Sequence, residues 1–271
     1  MDIRKPKPWH NWREFLTEVG TIVLGVCIAL GAEQGIEYLH WRNLVTQARQ
    51  SFASEMAQNT RSALARLRNF SCAEQRLDAL AKILDAASRS GRLPAVGIIG
   101  APPRRQWSSG AWESVMASQV ATHFPRAELT TWARAFSAVD SSKTANAEEL
   151  KAWSDLNAMV GPGRRLDPAS EADLRKALGL ARTYNRSLNN IAYQVLVLLK
   201  PLNPPYSQSD LDAISAELRR PLNNSRTPGA DTCQPIGAVP PQYGQTELTD
   251  YPDRLSDGLK LLPDLKSPAR E

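Results

Sequence analysis

Histidine and cysteine are scarce in this sequence, with three of each in 271 residues. No Cys-x-x-Cys or His-Glu-x-x-His spacing occurs, so neither a metal centre nor a cofactor is expected. Gly-x-Ser-x-Gly, Gly-x-Gly-x-x-Gly and Walker phosphate-binding patterns are also missing. The carboxylates show no spacing that isolates a catalytic pair. A large excess of one charge is lacking too. Of a net +5, the first fourteen residues supply +2, from Arg4, Lys5, Lys7 and Arg13 against Asp2 and Glu14. The rest of the chain is close to neutral, which leaves no basic stripe for nucleic acid. No alternating apolar and polar run is long enough to predict a strand. Glycine and proline are absent from residues 36–90, which removes every strong helix breaker from that stretch.

What is present begins with an apolar segment near the N-terminus. Residues 19–32, between Glu18 and Glu33, carry no charge and span about 21 Å as a helix. That alone is short for a hydrocarbon core of about 30 Å. Trp9 and Trp12 precede it, however, and Tyr38 and Trp41 follow it. Trp12 to Tyr38 covers about 39 Å of helix, which matches an aromatic belt at each headgroup level. Glu18 and Glu33 then fall near the interfaces, away from the bilayer centre where charge is expensive. Residues 15–41 therefore read as one membrane-spanning helix.

Four Lys or Arg lie in the first thirteen residues, and only Arg42 and Arg49 follow closely after Trp41. By the positive-inside rule, residues 1–14 are a basic cytoplasmic stub and the remainder lies outside the cytoplasm. The rival is a cleaved signal peptide ending near Ala29-Leu30-Gly31. The lack of a helix breaker after Gly35 argues against it, and Val26 argues against lipoprotein processing at Cys27. Thr21, Gly25 and Ala29 recur every four residues, and Gly31 with Gly35 forms a GxxxG pattern. Small residues at this spacing let membrane helices approach closely. They are the candidate face for self-association or for a protein partner, beside the lipid bilayer itself.

The segment EVGTIVLGVCIALGAEQGIEYLHWRNLVTQAR, residues 18–49, resembles a family of uncharacterised single-pass inner-membrane proteins of alpha-proteobacteria. Other matching positions are Glu55 and Asn59, Cys72 followed by Arg76-Leu77, Trp107 with Ser109-Gly110-Ala111-Trp112, Trp153, Ala181-Arg182 with Asn185, and the late Cys233. The resemblance implies a membrane anchor with an external helical domain and brings no catalytic residues. The preference for Arg over Lys, 24 to 9, fits a GC-rich bacterial genome.

Beyond the anchor the pattern is helical. Val45, Phe52, Met56, Ala63, Phe70, Ala73, Leu77, Leu80 and Leu84 follow steps of three and four or their sums, a buried stripe that Gly91 and Pro94 end. Residues 93–108 read as a loop, and a short helix is expected over 109–122. Pro125 opens a helix with Leu129, Trp132, Phe136 and Val139 on one face. A break is expected near Ser141-Ser142, with helix resuming through Leu150, Trp153 and Leu156 to a stop at Gly161-Pro162-Gly163. Asp167-Pro168 reads as an N-cap with proline at the first helical position. From there Leu174, Leu178, Ala181, Asn185, Leu188, Ala192, Val195 and Leu199 alternate steps of four and three, the seam of a coiled-coil-like bundle. Ser209 with Asp212 suggests a capping box for a last helix to about Leu218. The fold class is all-α: an antiparallel bundle over residues 42–222, followed by an extended Pro-rich tail over 223–271.

Cys72 and Cys233 both fall on the external side, where two such cysteines usually pair, whereas Cys27 lies within the membrane segment. Their bond would pin the tail to the first long helix. A reactive thiol with His123 as base is the functional alternative. Trp107, Trp112, Trp132 and Trp153 could line an aromatic pocket, although such residues are more often core. Asn59 and Asn185 lie on the two stripes. As a facing pair they would fix register, or they could offer polar contacts to a ligand. The pairs Arg104-Arg105, Arg164-Arg165 and Arg219-Arg220 could meet anionic groups. Arg219-Arg220 also suits a helix C-terminus, and the loop ahead of Arg164 could cradle a phosphate. The functional expectation is a non-catalytic, membrane-anchored periplasmic interaction or scaffold protein. A ligand-sensing helical domain is the second reading and a periplasmic enzyme the third.

Overall fold

A stretch without glycine or proline gives a helix no reason to stop, and α1 (Trp12–Ser90) runs unbroken for 79 residues, about 118 Å. The computed structural model describes residues 12–103, 105–222, 230–237 and 254–262. Every residue of α1 from 16 to 40 is exposed, and Val45 is the first buried one. Gly91, with φ of 67°, closes α1 in the left-handed conformation that favours glycine, and its carbonyl accepts from the Leu166 N–H at 3.1 Å.

After the two-residue strand β1 (Arg92–Leu93), the chain returns along α1 as an extended strap over residues 94–108. Its prolines suit that shape, because they have no N–H and resist helix. The strap is fastened at successive heights. Arg76 donates to the carbonyl of Ile99 at 2.6 Å, Ser62 to that of Gln106 at 2.9 Å, and Asn59 to that of Ser108 at 2.7 Å. It delivers the chain to α2 (Gly110–Met116) and a 3-10 turn at Gln119–His123.

Then come α3 (Arg126–Leu156), β2 (Arg164–Arg165) and α4 (Pro168–Leu199). Ion pairs fix their directions. Arg49–Glu128 and Arg66–Glu149 advance together, so α3 runs parallel to α1. Asp85–Arg175 and Asp78–Arg182 run oppositely, so α4 is antiparallel to both. α3 and α4 meet beyond the strap, where β2 pairs antiparallel with β1, Arg92 opposite Arg165 and Leu93 opposite Arg164. α5 (Gln208–Arg219) packs on α1, and α6 (Arg254–Leu259) packs on α4 and α1.

The expected stripes are the buried ones. All nine apolar positions named on α1 and all eight seam positions of α4 are buried. Most of them belong to one of two apolar cores, one around Phe52, Trp132, Phe136 and Leu196, the other around Leu77, Leu84, Trp153 and Leu178.

Three local expectations are corrected. α3 does not break at Ser141-Ser142, because both hydroxyls bond back within the helix, to the carbonyls of Ser137 at 3.0 Å and Ala138 at 3.1 Å. The last capping box uses Ser207 and Asp210, two residues earlier than Ser209 and Asp212. The tail is not simply extended. A 3-10 turn (Ala230–Cys233) and α6 dock on the helices, with Gly258 wedged against Leu196 and Leu67. Residues 1–11, which hold most of the basic stub, and the rest of the tail lie outside the described residues.

Candidate functional site

Between the two apolar cores lies a polar layer. Arg66 of α1 forks onto the carboxylate of Glu149 on α3, with Nη1 to Oε2 at 2.7 Å, and it also donates to the Asn185 Oδ1 on α4 at 2.6 Å. The Asn185 amide in turn donates to Glu74 of α1 at 2.6 Å, and Arg186 reaches the other Glu74 oxygen at 3.1 Å. Arg66, Glu149, Asn185 and Glu74 are all buried. Burial pushes the Glu149 carboxyl above its ordinary range, against the pull of Arg66. Asn185 thus joins two ion pairs across three helices, which fixes the height of α4 against α1.

Asn59 is not its partner. Asn59 Nδ2 donates to the carbonyl of Ser108, and the Ser108 N–H donates back to Asn59 Oδ1 at 2.9 Å. One turn earlier, Glu55 accepts from the Ser108 hydroxyl at 2.5 Å and from the Ala111 N–H at 3.0 Å. The residue before α2, Ser109, makes no cap bond of its own. Glu55 takes over that role from the neighbouring helix. The facing-asparagine expectation is therefore replaced by two separate jobs, one at the strap and one in the polar layer.

The tryptophans do not converge on one pocket. Trp107, Trp112 and Trp132 belong to the first core, where Trp112 stacks on Phe136 at 5.3 Å and Phe52 meets Trp132 at 5.1 Å. Trp153 belongs to the second core. The large cleft lies elsewhere, at the far end, with a volume of about 760 Å³. It is lined by Lys151, Asp155, Arg164, Arg165, Asp173 and Lys176 over an apolar floor, and it includes neither Asn185 nor any tryptophan.

Cys72 and Cys233 are joined, with Cα atoms 4.8 Å apart. Around the bond the tail is gripped by side chains that the sequence reading did not single out for this role. Arg76 is buried and donates to the carbonyls of Asp231 at 3.0 Å and of Gln234, while the Thr232 hydroxyl donates to Asn69 at 3.0 Å. Desolvation brings the Arg76 guanidinium down to about 10. Gly97 donates to the Gly237 carbonyl at 2.8 Å, and a Cβ at Gly97 would meet that oxygen at 2.5 Å. The thiol–imidazole alternative falls away. His123 stacks on Trp41 at 4.0 Å between centroids, about 46 Å along α1 from Cys72.

Of the arginine pairs, Arg105 and Arg164 are engaged within the chain, whereas Arg165, Arg219 and Arg220 are exposed. Arg105 binds Glu217 at 2.6 Å, and Arg104 lies outside the described residues. The C-terminal carbonyls of α5, at Glu217 and Arg220, accept from Arg68 of α1, so the helix end is met by a neighbour's guanidinium. Arg164 turns back onto the carbonyl of Ala158, and the Gly161 N–H bonds Val96 at 2.9 Å, so that N–H is not free to cradle a phosphate.

The signal for the polar layer was present in the pattern. Arg66 falls on the α1 stripe between Ala63 and Phe70, at a position that the apolar count skips, and Glu74 directly follows the stripe residue Ala73. Among the described residues no group of three or more His, Cys, Asp or Glu could hold a metal. Thr21, Gly25, Ala29, Gly31 and Gly35 all sit on the exposed part of α1, where a Cβ at any of the three glycines meets nothing.

These features define an all-α protein that has, among the described residues, one helix long and apolar enough to cross a membrane, at a mean hydropathy of 2.0 over an 18-residue window of which none is buried. Comparisons with protein-family models, with curated proteins and with solved structures find no match.

Proposed function

We propose that this chain is a single-pass inner-membrane protein of the kind its N-terminal segment resembles. Its helical bundle serves as a periplasmic interaction or scaffold subunit without chemistry of its own. The observation that carries the reading is α1. Residues 16–40 are bare, and their apolar side chains point to every side, from Leu16 through Ile22, Leu24 and Ile28 to Leu39. A helix apolar all round needs lipid or protein around it, and none of the described residues covers it. The same helix continues into the packed body without a break, so an anchor and a scaffold are one element. The polar layer and the contacts of Arg76, Asn59 and Asn69 beyond it hold helices, strap and tail together. The small-residue face of Thr21, Gly25, Ala29, Gly31 and Gly35 is the place for self-association or for a partner's membrane helix.

Cross-linking followed by purification from detergent-solubilised native membranes tests this. Recovery of a second chain joined through the span or the body supports it. A second reading, a ligand-sensing domain, is favoured by the charged cleft of about 760 Å³. A lone monomer carrying a small molecule in native mass spectrometry would replace the scaffold reading with that one.

A further inference from the structure

The distance between the apolar span and the packed body is too small for a stalk. Leu39 is exposed and Val45 is buried in the first core, six residues or about 9 Å later along the helix. A headgroup layer is itself about 5–8 Å deep on each side. A body that begins so close to the aromatic belt of Tyr38 and Trp41 has its lower end within reach of the headgroups. That end is built around Trp41, whose ring is stacked on His123 at 4.0 Å with an interplanar angle of 11° and meets His40 edge-on at 5.5 Å. The stack brings the turn Gln119–His123 and the start of α3 to the height of the aromatic belt.

Cations are in excess at this end, Arg42 and Arg126 against the unpaired Glu37. His40 and Arg42 of α1, His123 of the turn and Arg126 of α3 are exposed. Of the carboxylates beside them, Glu128 is balanced by Arg49 through two bonds of 2.7 Å, whereas Glu37 accepts from the neutral Trp41 indole at 3.2 Å and keeps its charge. The turn itself contains no acidic residue.

We propose that this face is a membrane foot. The turn Gln119–His123 and the N-terminus of α3 rest on the lipid surface, where Arg42, Arg126 and the two histidines meet phospholipid phosphates. The proposal rests on the anchoring reading, and it adds that the body is docked on the bilayer instead of swinging on α1. Its consequence is a fixed orientation. From Trp41 to Ser90 the helix runs about 74 Å, so the charged cleft beside β1 and β2 is carried to the far end of the body.

Nitroxide labels placed one at a time in the full chain test it, with Cys27→Ser as background and the native disulfide retained. The positions are Ile28→Cys in the span, Thr122→Cys in the foot and Ala169→Cys at the far end, all exposed. The protein is reconstituted in vesicles of equal parts phosphatidylcholine and phosphatidylglycerol, and depth is read by power saturation with oxygen and a water-soluble nickel complex. The expected result is Ile28 in hydrocarbon, Thr122 within one headgroup layer of the phosphate plane, about 5–8 Å, and Ala169 in water. Ile28 in hydrocarbon with Thr122 as water-accessible as Ala169 overturns the foot while leaving the anchor. Ile28 in water overturns the anchor and the foot together. In the Arg42→Glu, Arg126→Glu double variant the Thr122 label should move outward with Ile28 unchanged, and an unmoved Thr122 overturns the role given to these cations.

Discussion

Glu149 is the residue on which the polar layer turns. Its carboxylate is fully buried, and Arg66 is its fork-shaped counterion. Replacing Glu149 by Leu strands a buried guanidinium and should cost about 3–5 kcal/mol. The double variant with Arg66→Met should recover much of that loss, as thermal melts of the two would show. Glu128 gives the opposite pH behaviour. Hydrogen bonds from Arg49 hold its carboxyl below the ordinary range, so its stabilising contribution is present above the unfolded value of about 4.3. That contribution is lost as pH falls through the lower folded value. The pair is partly exposed, so Glu128→Gln should cost only about 0.5–1 kcal/mol at neutral pH. The gap to the unaltered protein should close in acid, as urea midpoints at the two pH values would show. Glu149, with its pKa raised, works the other way: its ionisation penalty is relieved as pH falls through its folded value.

At the scale of elements, the tail segment at Ala230–Cys233 is held by one covalent bond and by the Arg76 and Asn69 contacts. A loop closed over 161 residues is worth about 5 kcal/mol in the chain-entropy model, an upper figure for real proteins. The Cys72→Ser, Cys233→Ser variant should therefore lose stability within that bound. Residues 230–237 should also lose hydrogen-exchange protection ahead of α1, α3 and α4, whereas retained protection would mean that Arg76 alone suffices. The helices themselves were legible in sequence because their information is local: α4 starts at its expected Asp167 cap and buries every expected seam position. The expected break in α3 was misread because serines favour turns, whereas here their hydroxyls return to the helix's own carbonyls. α6 was missed because a six-residue helix holds too little periodicity to see.

For the whole molecule, the uncharged stretch of the candidate span is short, so on the anchoring reading its insertion has little to spare. An arginine at Leu24 adds about 2.5–3.5 kcal/mol against insertion at the centre of a membrane helix. Leu24→Arg should move the protein from the carbonate-resistant membrane fraction toward soluble or aggregated material. Unchanged fractionation would count against a span centred there. The body should remain folded in that variant, because Leu24 touches nothing in it and lies well ahead of Val45.

The sequence by itself determined the helical class, the unbroken α1, its bare apolar start and the buried stripes of α1 and α4. Each depends on residues a few positions apart, where helical geometry makes sequence spacing and spatial neighbourhood the same thing. Only the tertiary structure decided what the polar residues on those stripes do. A buried Asn, Arg or Glu at a seam position reads alike whether it faces a copy of itself, a backbone strap or a counterion, since the partner lies 40 to 160 residues away. The three-dimensional packing set Asn59 on Ser108, Asn185 between Arg66 and Glu74, and Arg76 on the tail. It also drew Trp41 and His123 together, which places the foot of the body beside the end of the apolar span.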